Sequence, residues 1–236
     1  MLPVLLFATV FTILSCGGGS VKPGSLPDPG YYLQYTVRET NPWLTVKYYI
    51  YHDKVKMVYS DRPGKYTLVI GDRMVDIDEK NKTYTDVTAF LIDRDNPAKG
   101  LQGYLDSLAK LKAAQTAKLT GMVMYYVVSQ STIGGFLSKE YSSHDDSKTG
   151  EAKYLHLYFC GLPELKMLMD GLDKNTSGLA KAVVQMRFLS HPEYGWLTGC
   201  SFVDGLTGAW GIDEFGEYPL SDAVFSLDGL TESGGK

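Results

Sequence analysis

Between Tyr31 and Val87 apolar and polar side chains alternate in six short runs separated by turn residues. Leu33, Tyr35 and Val37 alternate with Gln34, Thr36 and Arg38, and Leu44, Val46, Tyr48 and Ile50 with Thr45, Lys47, Tyr49 and Tyr51. Val55, Met57 and Tyr59 follow, then Tyr66, Leu68 and Ile70, then Val75 and Ile77, and last Thr83 to Val87. A period of two places successive side chains on opposite faces of a sheet, so the stretch predicts an antiparallel meander with one apolar face. His52-Asp53-Lys54, Arg62-Pro63-Gly64, the two-residue Gly71-Asp72 and the charged tip Asp78 to Lys82 mark its turns.

After a polar loop, Asp93 to Gly100, the period changes. Leu101, Tyr104, Leu105, Leu108 and Leu111 recur every three or four residues, which predicts a helix over 101–118 whose leucine stripe lies across the meander's apolar face. Strand returns over 122–129, turns at Ile133-Gly134-Gly135 into 136–141, and resumes over 153–159 past a polar loop at 142–151. In the last of these, Leu155, Leu157 and Phe159 point one way and Tyr154, His156 and Tyr158 the other. Pro163 and Glu164 open a second helix with the stripe Leu165, Leu168, Met169 and Leu172. The segment 179–188 is read as a third helix, although Val183, Val184 and Phe188 also suit a strand. Runs 194–203, 208–217 and 223–227 read as closing strands, and 231–236 as a disordered tail.

Composition changes this picture little. A chain of 236 residues can bury one sheet-rich core. The net charge of −4, with no Lys/Arg cluster, lacks the electrostatic footprint of a nucleic-acid binder. The 17 tyrosines suit a half-buried sheet, where the ring packs and the hydroxyl reaches water.

The amino terminus adds a location. Residues 1–15 carry no charge, and the apolar run Leu2 to Leu14 is too short to span a bilayer but suits the core of a signal peptide. It ends in Ile13-Leu14-Ser15-Cys16-Gly17, which resembles the lipobox of bacterial lipoproteins, although no Lys or Arg precedes the run. The resemblance implies cleavage after residue 15, acylation of Cys16, and a lipid-anchored protein of the cell envelope. Gly17 in place of Asp points to the periplasmic face of the outer membrane. Residues 16–30, rich in Gly and Pro, then read as a flexible tether. With Cys16 lipidated, Cys160 and Cys200 are left as an even pair in an oxidising compartment. A disulfide between them would close about 40 residues and contribute up to ~4 kcal/mol; two separately buried thiols are the alternative.

A search for chemistry returns little. No glycine loop stands between a strand and a helix, and neither a Gly-x-Ser-x-Gly elbow nor a His-Glu-x-x-His helix is present, so no catalytic residue is assigned. His144-Asp145-Asp146 lacks a second histidine at helical spacing and reads as a solvated loop, so no metal site or cofactor is assigned. His156, between Tyr154 and Tyr158, is the histidine best placed to orient a ligand or act as a base inside a cavity.

Lys54-Val55-Lys56-Met57-Val58-Tyr59, the Gly71-Asp72 hairpin, Val75 to Asp78 and Asn81-Lys82-Thr83-Tyr84, with Ile133 to Tyr141 and Ala223 to Leu227, resemble the LolA/LolB-like half-barrel superfamily of lipoprotein carriers, in an uncharacterised exported branch. The resemblance covers residues 31–230 as one domain. It implies an α+β fold in which a strongly curved antiparallel sheet wraps around two or three helices. The expected function is a carrier or binding module holding an apolar or acylated ligand in the concave sheet. Tyr35, Tyr48, Met57, Leu68, Leu105, Leu108 and His156 are its candidate ligand-binding residues. The alternative is a structural or assembly lipoprotein that binds an envelope partner, with Trp196 and Trp210 on its surface and no ligand cavity.

Overall fold

The computed structural model describes residues 24, 26–38, 42–92, 99–145, 153–202 and 210–233. Cys16, the leader 1–15, the polar loop 93–98 and the tail 234–236 lie outside them, as do the side chains of His144, Asp145 and Tyr154.

The six alternating runs form six consecutive strands: β1 (Gly30–Val37), β2 (Leu44–Tyr51), β3 (Lys54–Tyr59), β4 (Lys65–Ile70), β5 (Arg73–Asp78) and β6 (Thr83–Asp86). Each pairs antiparallel with the next, and the β4–β5 hairpin turns on Gly71 at φ 58°. The helix predicted over 101–118 is α1 (Gly100–Thr120). β7 (Met124–Ile133), β8 (Phe136–Asp145) and β9 (Lys153–Cys160) follow, so β8 runs four residues into the expected polar loop. Then come α2 (Pro163–Asn175), α3 (Gly178–Gln185), β10 (Ser190–His191), β11 (Gly195–Phe202), β12 (Trp210–Tyr218) and β13 (Thr231–Glu232).

All thirteen strands join one sheet in the order β13-β6-β5-β4-β3-β2-β1-β12-β11-β9-β8-β7, with β10 on β11. Every pairing is antiparallel except β13 with β6. Among the described residues the protein is therefore a mixed α and β fold built on one large, mostly antiparallel sheet with three α-helices, and the sheet does not close into a barrel, because β13 and β7 remain its two ends. Its two halves meet where β11 pairs with β12, among the described residues at Gly199–Gly211 and Cys200–Trp210, and the β7–β8 tip folds back over this seam. A Cβ on Gly134 would stand 2.6 Å from Ile212 Cγ2, so the tip needs glycine there both for space and for its φ of 59°.

The meander carries apolar residues on both faces. Tyr31, Leu33, Val46, Tyr48, Ile50, Val55, Met57 and Val69 pack under α2 and α3, whose buried stripes are Leu165, Leu168, Met169 and Leu172, and Leu179, Ala180 and Val184. Leu68, Val75 and Ile77 point to the opposite face, where Phe225 and its neighbours Leu220, Val224, Leu227 and Leu230 cover them. The single apolar face expected of the meander is thus two, because the carboxy-terminal segment returns to cover the back. That return also explains why 223–227 is not a closing strand. Asp222–Phe225 coils into a 3-10 turn that drives Phe225 into the back cluster.

Three further expectations change. The tail boundary at 231 falls inside β13, where Thr231 N donates to Lys82 O at 2.9 Å and Ser233 N to Tyr84 O at 2.8 Å. The expected tether is docked from Gly24 on: Gly24 N donates to Glu217 Oε1 at 2.6 Å, and Tyr51 Oη donates to Asp28 Oδ2 at 2.7 Å. The leucine stripe of α1 does not lie deep on the meander. Leu101, Tyr104 and Leu105 are half-buried against the main core and Leu111 is 50% exposed, whereas Leu119 is buried with Leu157, Phe159 and Leu197.

Cys160 and Cys200 do not form the expected disulfide. They lie on neighbouring strands, but Cys200 stands opposite Leu157 and Cys160 opposite Trp196. A three-residue offset is roughly 10 Å along a strand, beyond the roughly 7 Å of Cα separation a disulfide spans. They also pack into different clusters, Cys160 beside Leu165 and Cys200 beside Leu157 and Leu197.

Candidate apolar cleft and its arginine

α3 ends at Met186, where the Arg187 N–H turns back to Val184 O at 2.9 Å. The next residue, Phe188, is buried, its ring centroid 5.1 Å from that of Phe215. Fixing Phe188 in the core throws the Arg187 side chain over β1 and β2. There its Nε donates to Tyr48 Oη at 3.0 Å, and its guanidinium carbon stands 5.4 Å from the Tyr35 ring centroid and 5.9 Å from that of Tyr48. The two rings are themselves stacked at 5.8 Å. Strand alternation puts Tyr35, Tyr48 and Tyr59 on the same face of β1, β2 and β3, and Tyr104 reaches the guanidinium's field from α1.

Burial pushes the hydroxyl pKa values of Tyr48, Tyr59 and Tyr104 upward, so they stay neutral in any ordinary buffer and supply no counter-charge. Arg187 makes no ion pair with any described carboxylate. Burial works against the charged form of its guanidinium, and the Tyr48 hydroxyl oxygen that accepts from Nε offsets that effect.

Beside this arginine opens a cleft of about 230 Å³. Leu33, Val37, Met186, Leu189, Trp210 and Ile212 line it, together with Tyr35, Gln115 and Arg187. It lies next to the seam, since Trp210 belongs to both. A larger groove of about 480 Å³ lies past Tyr59 along β4, β5 and β6. Its polar groups bond to one another: Thr67 Oγ1 donates to Asp76 Oδ1 at 2.6 Å, and Lys65 Nζ stands 3.4 Å from Asp78 Oδ2. The smaller cleft is the better binding candidate, because its walls are apolar and a guanidinium with no ion pair among the described residues borders it.

Of the expected ligand-binding residues, Tyr35 lines the cleft and Tyr48 braces its arginine. Met57 and Leu105 pack in the same core, and Met57 Sδ accepts from Tyr59 Oη at 3.7 Å. Leu108 is half-buried on α1 outside the cleft lining. Leu68 is on the opposite face, because it is one residue out of phase with Val69 and Thr67. His156 is elsewhere too: on β9 its Nδ1 is hydrogen-bonded to Glu140, and Ser142 and Ser201 stand opposite it on the flanking strands. Arg187, Gln115, Leu189 and Ile212 were not identified from the sequence. An arginine at a helix end carries no periodic signal, and Tyr48 lies 139 residues away from it along the chain.

Among the described residues no three His, Cys, Asp or Glu side chains gather as a metal ion requires, and no helix is long and apolar enough to cross a membrane. No family model matches the chain. No curated protein matches it either. Among solved structures it is similar to PNGF-II in two crystal forms, at 9% identity and TM-scores of 0.32 and 0.29. Each match covers 87% of this chain but only 30% and 31% of that protein, so the chain spans about a third of its length.

Proposed function

We propose that this chain is a lipid-anchored cell-envelope protein that binds an apolar or acylated ligand on the concave side of its sheet. On this reading the sheet is the strongly curved half-barrel of the LolA/LolB-like carriers, acylation of Cys16 holds the protein at the periplasmic face of the outer membrane, and no nucleic acid is bound. The observation that carries the proposal is the apolar cleft between β1, β12 and the end of α3, walled by Leu33, Val37, Leu189, Trp210 and Ile212. Apolar walls with a few convergent polar groups are the common form of small-ligand sites. At about 230 Å³ the cleft is small, below the ~300–1,000 Å³ of drug-sized pockets. It suits one short chain or the end of a longer one.

The reading as an assembly lipoprotein keeps one observation. Trp196 and Trp210, whose exposure would have favoured it, are half-buried against the core. The terminal strand β7, however, exposes Tyr125 and Tyr126 at 65% and 49%, next to Val123, a surface of the kind partner proteins use. Native mass spectrometry of the full chain, exported and purified, separates the two readings. A co-purifying mass of a few hundred daltons, released on denaturation and extractable into organic solvent, is expected of the binding module. A bare protein mass that takes up no added fatty acid or alcohol would transfer the assignment to the assembly protein.

A further inference from the structure

We infer that the cleft is built for an anionic amphiphile, with Arg187 receiving the carboxylate or other acidic head group while the tail lies against Leu33, Val37, Trp210 and Ile212. The inference rests on the binding function proposed above and deepens it by naming the ligand's chemistry. Three observations carry it. Arg187 lines the cleft together with the apolar walls, so a molecule seated there touches both. The guanidinium uses only its Nε–H on the protein, donating to Tyr48 Oη at 3.0 Å. Its other N–H groups, two pairs on one planar fork, have no acceptor among the described residues, and this fork matches the two oxygens of a carboxylate.

The third observation is the absence of a described counter-charge. A cation set against apolar surface is ordinarily paired, because desolvating it costs free energy that only an anion or strong acceptors return. Lys54 has Asp222, Arg73 has Asp86, and Lys181 has Asp173, whereas Lys56 rests over the Tyr66 ring with its Nζ 3.9 Å from the centroid. Arg187 is likewise set over two tyrosine rings, whose faces hold the guanidinium in place without neutralising it. A structural arginine that only bridges α3 to β2 would need the Tyr48 hydrogen bond alone, and would gain nothing from bordering an apolar cleft.

The test is equilibrium binding of two probes with the same tail, decanoate and 1-decanol, to the full-length protein stripped of lipid, in buffer that keeps decanoate ionised. A charge-assisted contact made by one probe and not the other predicts decanoate binding at least about tenfold tighter. Arg187→Gln should reduce decanoate affinity to that of decanol and leave decanol unchanged. Equal affinity of the two probes for the unmutated protein would overturn the head-group assignment while leaving the apolar site standing. Binding of neither probe would remove the proposed binding function itself. The ratio on the unmutated protein decides the matter even where the variant fails to fold.

Discussion

Cys160 ends β9 fully buried, opposite Trp196 and beside Leu165, and burial pushes its thiol pKa upward despite a backbone hydrogen bond that pulls the other way. The thiolate is the reactive species, so this cysteine should resist iodoacetamide in the native protein and label in denaturant without any reductant. Peptide mapping reads the result, and a requirement for reductant would restore the disulfide expected from export. The sequence supported that disulfide only through compartment and number. Register decided against it, and register between β9 and β11 depends on a bulge at Thr198 that no sequence pattern announces. Thr198 fits there because its buried hydroxyl bonds both Ser138 Oγ at 2.8 Å and Tyr158 O at 3.0 Å. The same limit hid the cleft's arginine. Alternation identified Tyr35 and Tyr48 as sharing a face, but which distant side chain comes to rest on them is a tertiary fact.

The six meander strands and α2 were the legible elements, because their periods are clean and their turns carry glycine, proline or a helix-opening Pro163. α1 was legible as a helix but not in its placement. A stripe of leucines shows that a helix has an apolar side, not which part of that side meets a neighbour. Leu168 of α2 is 3% exposed whereas Leu111 of α1 is 50% exposed. Leu168→Ala should therefore cost about 2–5 kcal/mol, and Leu111→Ala no more than about 0.5 kcal/mol. Urea unfolding of the two variants measures the difference, and comparable losses would mean that α1 is packed more deeply than its contacts indicate. The short strands β10 and β13 left no trace in the pattern, since two residues cannot display a period.

At the scale of the whole molecule, carboxylates clamp the sheet at several separated points. Asp86 is held below the ordinary carboxylate range by the Thr88 hydroxyl and N–H and by Arg73, Asp78 by the N–H of Asn81, and Asp28 by the Tyr51 hydroxyl, each against an ordinary value of 3.8. With folded pKa values depressed, the unfolded chain takes up protons first as the solution is acidified. The stabilisation is thus complete above 3.8 and is lost as pH falls from there through the folded values. The urea midpoint should be level above about pH 5 and decline below about pH 4. Asp86→Asn should flatten part of that decline, and a midpoint indifferent to acid would show that these contacts do not stabilise the fold.

The docking of Gly24 on Glu217 and of Asp28 on Tyr51 also sets a leash length. With the proposed lipid on Cys16, only residues 17–23 separate the membrane anchor from the first docked residue. Eight Cα steps span at most about 29 Å. The strand ends around Glu217 and Tyr51 would then stay within roughly one domain's width of the bilayer surface. The cleft at Trp210 lies at the other end of β12 from Glu217, roughly 24 Å along the strand, so a ligand leaving the membrane would travel the leash and then the length of that strand.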